Sequence, residues 1–173
     1  MLDRLPDFID PIALAERRRV LSGAIRQSEF ARLSEVLADS QGDVRIELSF
    51  SKEGRLATIQ GTIKTTLTLI CQSCLQELSW PIDVAVKLGV VSSLEQADRL
   101  AAEYEPLLLK TEKVSLRELV EDEILLALPD FPKHEHNCKE SGQEQVPMSA
   151  DNKEQIRSDN PFSVLAKLKS TGD

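Results

Sequence analysis

Aromatic side chains are scarce in this chain: they make up 4% of its 173 residues, although hydrophobic residues of all kinds reach 41%. A core built from it must be filled with Leu, Ile and Val, and the length suits one domain of ordinary size. Basic charge is also short. Twenty-nine acids against 21 Lys and Arg leave a formal net charge of -8 at pH 7. Holding a phosphate backbone by electrostatics alone takes an excess of Lys and Arg, so the chain as a whole has the wrong sign. No stretch approaches the roughly 18 uninterrupted apolar residues of a membrane span. The opening MLDRLPDFIDP has no positive start followed by an apolar run, so no secretion signal is expected. Three cysteines are an odd number, and Cys71 and Cys74 are too close for an ordinary structural bridge. A reducing, cytoplasmic setting follows. There is no GxxxxGK[ST] phosphate loop and no GxGxxG. Both histidines, His134 and His136, lie beside Cys138, so no Ser/His/Asp set is available. These absences argue against an enzyme and against a small-molecule substrate.

What charge there is falls unevenly. Residues 1–32 carry six arginines, among them Arg17-Arg18-Arg19, against five acids. From Glu95 to Asp130 ten acids face only four basic residues, a composition suited to a basic protein partner. The arginine trio could contact phosphate. Its position near a helix end also suits compensation of the helix dipole, and that structural role is the favoured one.

The periodicities predict an α+β fold. Asp10-Pro11 starts a helix running to about Arg18, because Asp caps free amides and Pro tolerates the first helical position. A strand over Val20–Ile25 follows. Ser28 is then expected to cap a second helix with Phe30, Leu33 and Leu37 on one face. From Asp43 the period becomes two: Val44, Ile46, Leu48 and Phe50 alternate with Arg45, Glu47 and Ser49. After a turn at Lys52-Glu53-Gly54, a long strand spans Leu56–Ile70 with Gly61 as an expected bulge. A third runs from Leu75 to Val91, and Pro81 places it at an edge or bend. Three such strands make an antiparallel β-meander with the length to curl toward a barrel.

Leu94–Glu103 is a polar connection with helical character, and Glu105–Leu109 suits a short strand. Ser115 caps a clear helix, with Glu118 as its capping-box partner. Leu116, Leu119, Val120, Ile124 and Leu128 line its apolar face, and Pro129 and Pro132 end it. That reading puts Glu118, Glu121 and Asp122 on the wet side. Residues 139–159 hold almost no large apolar side chains and read as a flexible linker. Asn160-Pro161-Phe162 then opens a short amphipathic C-terminal helix over 160–173. The predicted organisation is one α+β domain over 1–138, the linker, and this helix with its tail.

Cys71-Gln72-Ser73-Cys74 is the sharpest local motif. A turn between two strands can present both sulfurs to one tetrahedral metal, and His134, His136 and Cys138 offer a second half-site. Cys71, Cys74, His134 and Cys138 would make a closed structural zinc site. The spacing from His134 to Cys138 chelates better than the single-residue gap from His136. Two other readings stay open here: the cysteines as small core fillers beside a solvated loop, or a redox pair. Glu121 and Asp122 could in principle serve a hydrolase of RNA processing, although such a charge run is more often a solvated helix face.

Four stretches taken together resemble one family. They are Asp10-Pro11 with the strand containing Gly23; Leu67–Ile70 leading into Cys71–Cys74; Tyr104-Glu105-Pro106 with the Leu119–Pro129 run; and the Asn160–Leu168 segment. In this order they resemble the bacterial and chloroplast large ribosomal RNA subunit accumulation proteins, over nearly the whole chain. The resemblance implies a role in accumulation of large-subunit (23S) ribosomal RNA and assembly of the large subunit. The expected partners are ribosomal RNA precursor, large-subunit ribosomal proteins or assembly factors, with no membrane involved. Some relatives carry a more cysteine-rich segment after the Ala-Leu-Pro motif, where this chain has only His134, His136 and Cys138.

Overall fold

The structure, a computed structural model, describes residues 5–136 and 138. A two-residue strand β1 (Phe8–Ile9) leads into helix α1 (Pro11–Glu16), whose first turn is closed by the Asp10 carboxylate accepting from the Ala13 amide at 2.9 Å. The helix stops earlier than its sequence suggests, because Arg18 turns to a left-handed φ of 48°. Strand β2 (Val20–Arg26) and a 3-10 turn at Gln27–Glu29 precede helix α2 (Ala31–Val36). Ser28 does not cap that helix. Phe30 occupies the cap position and gives no side-chain hydrogen bond.

Three long strands follow: β3 (Asp43–Glu53), β4 (Leu56–Ile70) and β5 (Glu77–Val91). In β3 the expected alternation holds, with Val44, Ile46, Leu48 and Phe50 buried and their neighbours Arg45, Glu47 and Ser49 exposed. The β3–β4 turn passes through Gly54 at a φ of 62°, a conformation glycine adopts without steric cost. Gly61 is not a bulge. The β3–β4 register runs without interruption through Leu48↔Gly61, and a Cβ at Gly61 would stand 1.9 Å from the Glu47 carbonyl oxygen. Only glycine lets the two backbones approach so closely.

Helix α3 (Leu94–Asp98) and strand β6 (Glu105–Leu108) come next, then β7 (Val114–Ser115) and helix α4 (Leu116–Leu126). The main sheet has the order β2-β3-β4-β5-β6 and is antiparallel except for its last pair, where β6 runs parallel to β5. A return through α3 explains that direction, since a parallel pair needs a crossover connection. The sheet is open, with β2 and β6 as its edges, and is not closed into a barrel. Strand β6 covers only Leu88–Val91 of β5, so Pro81 lies where the far side of β5 has no neighbour and its missing N–H costs no ladder bond. Strands β1 and β7 form a separate two-stranded ribbon.

Buried side chains of β3, β4 and β5 form one cluster with Ile9, Ala15 and Leu33 and with Leu116, Leu119, Val120 and Ile124 of α4. Filling is aliphatic, apart from Phe30 and Phe50. Among the polar side chains drawn inside, Gln27 donates from Nε2 to the Thr65 hydroxyl at 2.8 Å and to the Thr66 carbonyl at 2.9 Å. Buried amides need such partners, and this one pins the 3-10 turn to β4. The linker expected at 139–159 and the helix expected at 160–173 lie outside the described residues.

Candidate metal centre

The β4–β5 hairpin ends in a tight knuckle. After Ile70 the Cys71 amide donates to the Gln76 carbonyl at 2.9 Å, and the Leu75 amide donates back to Cys71 at 2.9 Å. Leu75 takes a left-handed φ of 60°, and the Ser73 amide points at the Cys71 sulfur from 3.4 Å. This geometry turns both cysteine side chains to one side. On the other side, Ser115 caps α4 by accepting from the Glu118 amide at 3.2 Å, and the helix ends before Pro129 and Pro132. The Pro132 carbonyl accepts from the Gln72 amide at 2.8 Å. That bond helps dock the segment after α4 against the knuckle and bring His134 and Cys138 to the two sulfurs.

The structure brings Cys71, Cys74, His134 and Cys138 together, with one ligand atom from each lying within 4.8 Å of the others. The Cys71 and Cys138 sulfurs are 3.8 Å apart. His134 Nδ1 is 3.5 Å from the Cys74 sulfur and 3.5 Å from the Cys138 sulfur. A tetrahedral zinc ion, with Zn–S of about 2.3 Å and Zn–N of about 2.0 Å, places sulfurs about 3.8 Å apart and sulfur and nitrogen about 3.5 Å apart. The observed spacings therefore fit such an ion. His134 Nε2 lies 3.2 Å from the Glu77 carbonyl oxygen, which can only accept. Nε2 must carry the proton there, leaving the Nδ1 lone pair facing the thiols, which is the outer-shell arrangement metal-binding histidines use. His136 is not among the four; its ring stacks beside His134 at a centroid distance of 4.7 Å.

The thiols influence one another. Burial opposes ionisation of Cys71, yet backbone N–H groups of Cys74, His134 and Ser73 bring it down to about 5. Cys138 moves the opposite way, pushed up to about 11 by burial and by hydrogen bonding to, and the charge of, Cys74 and Cys71. One sulfur of a crowded trio ionises readily and the last resists, because thiolates repel. A divalent cation reverses that repulsion and favours thiolate at all three.

The carboxylates of α4 behave differently from their sequence reading. Glu118 and Asp122 are exposed, whereas Glu121 is buried at 5% exposure and faces α2. Its Oε1 accepts from the Leu33 amide at 3.0 Å and its Oε2 from Arg32 Nε at 3.0 Å, while Arg32 also reaches Asp122 at 2.7 Å. Helix α2 has no cap of its own, so a carboxylate from α4 satisfies one of its free amides and complements the positive helix end. Glu121 is thus a joint between two helices. A second tie, Tyr104, donates to Glu53 at 2.7 Å and accepts from Gln60 at 3.0 Å; the Glu53 carboxylate and burial raise its phenol above the usual range.

An open antiparallel-dominant sheet backed by helices, with a cluster of three cysteines and one histidine at one hairpin end, defines an α+β protein with a candidate zinc knuckle. A family model described as large ribosomal RNA subunit accumulation protein YceD matches residues 59–169. A curated Haemophilus influenzae protein with that same description is 33% identical over 169 residues, covering 96% of this chain and 97% of its own length. No solved structure matches the chain. The chain belongs to the large ribosomal RNA subunit accumulation protein family, and the resemblance carried by its four motifs is borne out.

Proposed function

We propose that this chain is a cytoplasmic assembly factor, and not an enzyme, which supports accumulation of 23S ribosomal RNA by holding precursor RNA or a large-subunit ribosomal protein while the large subunit forms. The observation that carries this reading is family membership extending over 96% of the chain. The family description itself speaks of large ribosomal RNA subunit accumulation. The side chains agree with binding. Glu121, the carboxylate best placed for acid–base work, is spent on the Leu33 amide and Arg32. Among the described residues no helix is long and apolar enough to cross a membrane.

In this reading Cys71, Cys74, His134 and Cys138 hold a structural zinc ion. Four protein ligands fill a tetrahedral site and leave no position for a reacting water, so the metal staples the knuckle to the segment after α4 and performs no chemistry. The factor would comprise the domain over 1–138, the linker over 139–159 and the short C-terminal amphipathic helix and tail over 160–173. Against RNA hydrolysis stand the bonds of Glu121 to Leu33 and Arg32. Against a redox-sensing Cys71–Cys74 pair, which the lowered Cys71 thiol would suit, stands the approach of Cys138 and His134 to both sulfurs.

The test is sedimentation of epitope-tagged protein from growing cells through a sucrose gradient. The protein should travel with precursors of the large subunit and dissociate from them at high salt. Migration with free protein only, or equally with small-subunit particles, would contradict the proposal.

A further inference from the structure

The trio Arg17-Arg18-Arg19 closes α1, and its backbone has an arrangement that the sequence does not reveal. The Arg18 amide donates to the Ala15 carbonyl at 3.1 Å and the Arg19 amide to the Leu14 carbonyl at 3.1 Å. These are the two bonds of a Schellman ending, in which the residue at the left-handed position is usually glycine. Here that residue is Arg18, at a φ of 48°. An L side chain in this conformation costs on the order of 1 kcal/mol. The ending already satisfies the last carbonyls through backbone amides, and the helix field fades within its final turn. Capping bonds therefore do not call for three arginine side chains here, although cations at this end also complement the helix dipole.

The surroundings supply a further reason for them. The Phe50 amide donates to the Arg19 carbonyl at 2.8 Å, which seats the trio against the β3–β4 hairpin, whose tip carries Lys52 and Arg55. Five cations thus gather at one corner of the sheet against two carboxylates, Glu16 and Glu53. Glu16 approaches Lys52 at 3.7 Å, and Glu53 is turned to the Tyr104 hydroxyl. Arg17, Arg18, Arg19 and Arg55 are all exposed and make no ion pair among the described residues. The acids Glu95, Asp98, Glu103 and Glu105 lie on α3, on β6 and on the connection between them, at the opposite edge. The hairpin tip with Lys52 and Arg55 is joined to that acidic edge through Tyr104 and Glu53. The arginine trio, at the start of β2, instead stands three strand spacings, about 14 Å, from β5, more than the roughly 8 Å over which salt screens charge in a cell. A positive corner can therefore act on a partner although the chain as a whole is negative.

We propose that Arg17, Arg18, Arg19 and Arg55 form a phosphate-binding corner that holds the backbone of RNA. Guanidinium groups suit this partner, since each can fork onto two phosphate oxygens. The corner reads charge and spacing and not base sequence, so it positions RNA without selecting it. It lies outside residues 59–169, the stretch matched by the family model, so the family description does not assign it. The proposal deepens the assembly-factor reading and rests on it.

The test measures binding of the intact chain to a fluorescein-labelled single-stranded RNA by anisotropy, across a series of salt concentrations. The variant Arg17→Ser/Arg18→Gly/Arg19→Ser/Arg55→Ser should bind about tenfold or more weakly, and its log K against log salt slope should be shallower by about 2 to 3, roughly 0.7 per lost contact. Arg18→Gly alone keeps or raises the midpoint of thermal unfolding, because glycine relieves the left-handed strain, and still weakens RNA binding about threefold. The corner is overturned if the wild-type chain binds no RNA at low salt. It is equally overturned if the variants bind with unchanged affinity and slope, or if the corner captures an acidic protein in place of RNA. Rescue of a gene-deletion strain separates the two proposals. A deletion strain with normal ribosomal RNA defeats the assembly reading, whereas a defective one fully rescued by the fourfold variant defeats the corner alone.

Discussion

Protein purified under reducing conditions should carry about one zinc ion per chain, and Cys71→Ser protein should carry none. The sulfur–sulfur spacing of 3.8 Å and the two sulfur–nitrogen spacings of 3.5 Å match a tetrahedral ion, and the Glu77 carbonyl fixes His134 in the tautomer that can bind. Replacing zinc with Co(II) should give the visible absorption of a tetrahedral thiolate-rich site. Small metal-dependent domains unfold altogether without their ion, but here the aliphatic core is built by the sheet and α4 apart from the knuckle. Loss of zinc should therefore loosen residues 71–76 and 132–138 in hydrogen exchange while the core amides of β3 and β4 stay protected. With free zinc about 1,000-fold above its dissociation constant, bound metal should raise the unfolding midpoint by about 10 °C. His136→Ala should leave zinc content unchanged, because His136 stacks beside the cluster without joining it. A metal-free wild-type protein with reversible Cys71–Cys74 oxidation would overturn the zinc site.

Glu121→Ala should be the costliest change among the acidic residues of α4, about 3 kcal/mol by urea denaturation. Two losses contribute. The buried Leu33 amide is left without an acceptor, which costs about 1 to 3 kcal/mol. The charge-assisted bond to Arg32 also disappears, but half of that side chain is exposed and it keeps Asp122, so this loss is small. Glu121→Gln should cost well under half as much, because its amide oxygen can still accept from Leu33 and only the minor bond from Arg32 is lost. Asp122→Asn, on the solvent side of the same helix, should change stability by less than about 0.5 kcal/mol. Equal effects at Glu121 and Asp122 would show that the buried joint between α2 and α4 is not what the geometry indicates.

These two regions show what a sequence discloses. The period-two run from Val44 to Phe50 and the span Leu56–Ile70 were legible because half-burial leaves a strict alternation, and the β4 bounds agree with the expected ones. The cap at Ser115 and the stop before Pro129 are local chemistry and were equally legible. The four clustered side chains could be nominated because the cysteines and histidines occur nowhere else, although their approach involves Gln72 meeting Pro132, a contact between distant segments. Glu121 was misjudged for a physical reason. On a helical wheel it borders the arc of Val120 and Ile124, and what draws it inward is the uncapped start of α2, which periodicity does not encode. Gln27 was missed likewise, since its two acceptors lie on a strand far along the chain. Gly61 signalled an irregularity, but only the pairing with Leu48 separates close approach from a bulge. The parallel placement of β6 depended on the path through α3, and the left-handed Arg18 has no signature in an Arg-Arg-Arg run.

The central claim, that this chain supports accumulation of the large ribosomal RNA, is tested most directly by the ratio of large- to small-subunit ribosomal RNA in a strain lacking the gene. The account predicts a selective fall in 23S ribosomal RNA, with a matching loss of large subunits in sucrose gradients and recovery on returning the intact gene. An unchanged ratio and a normal subunit profile, in cold as well as warm growth, would contradict it.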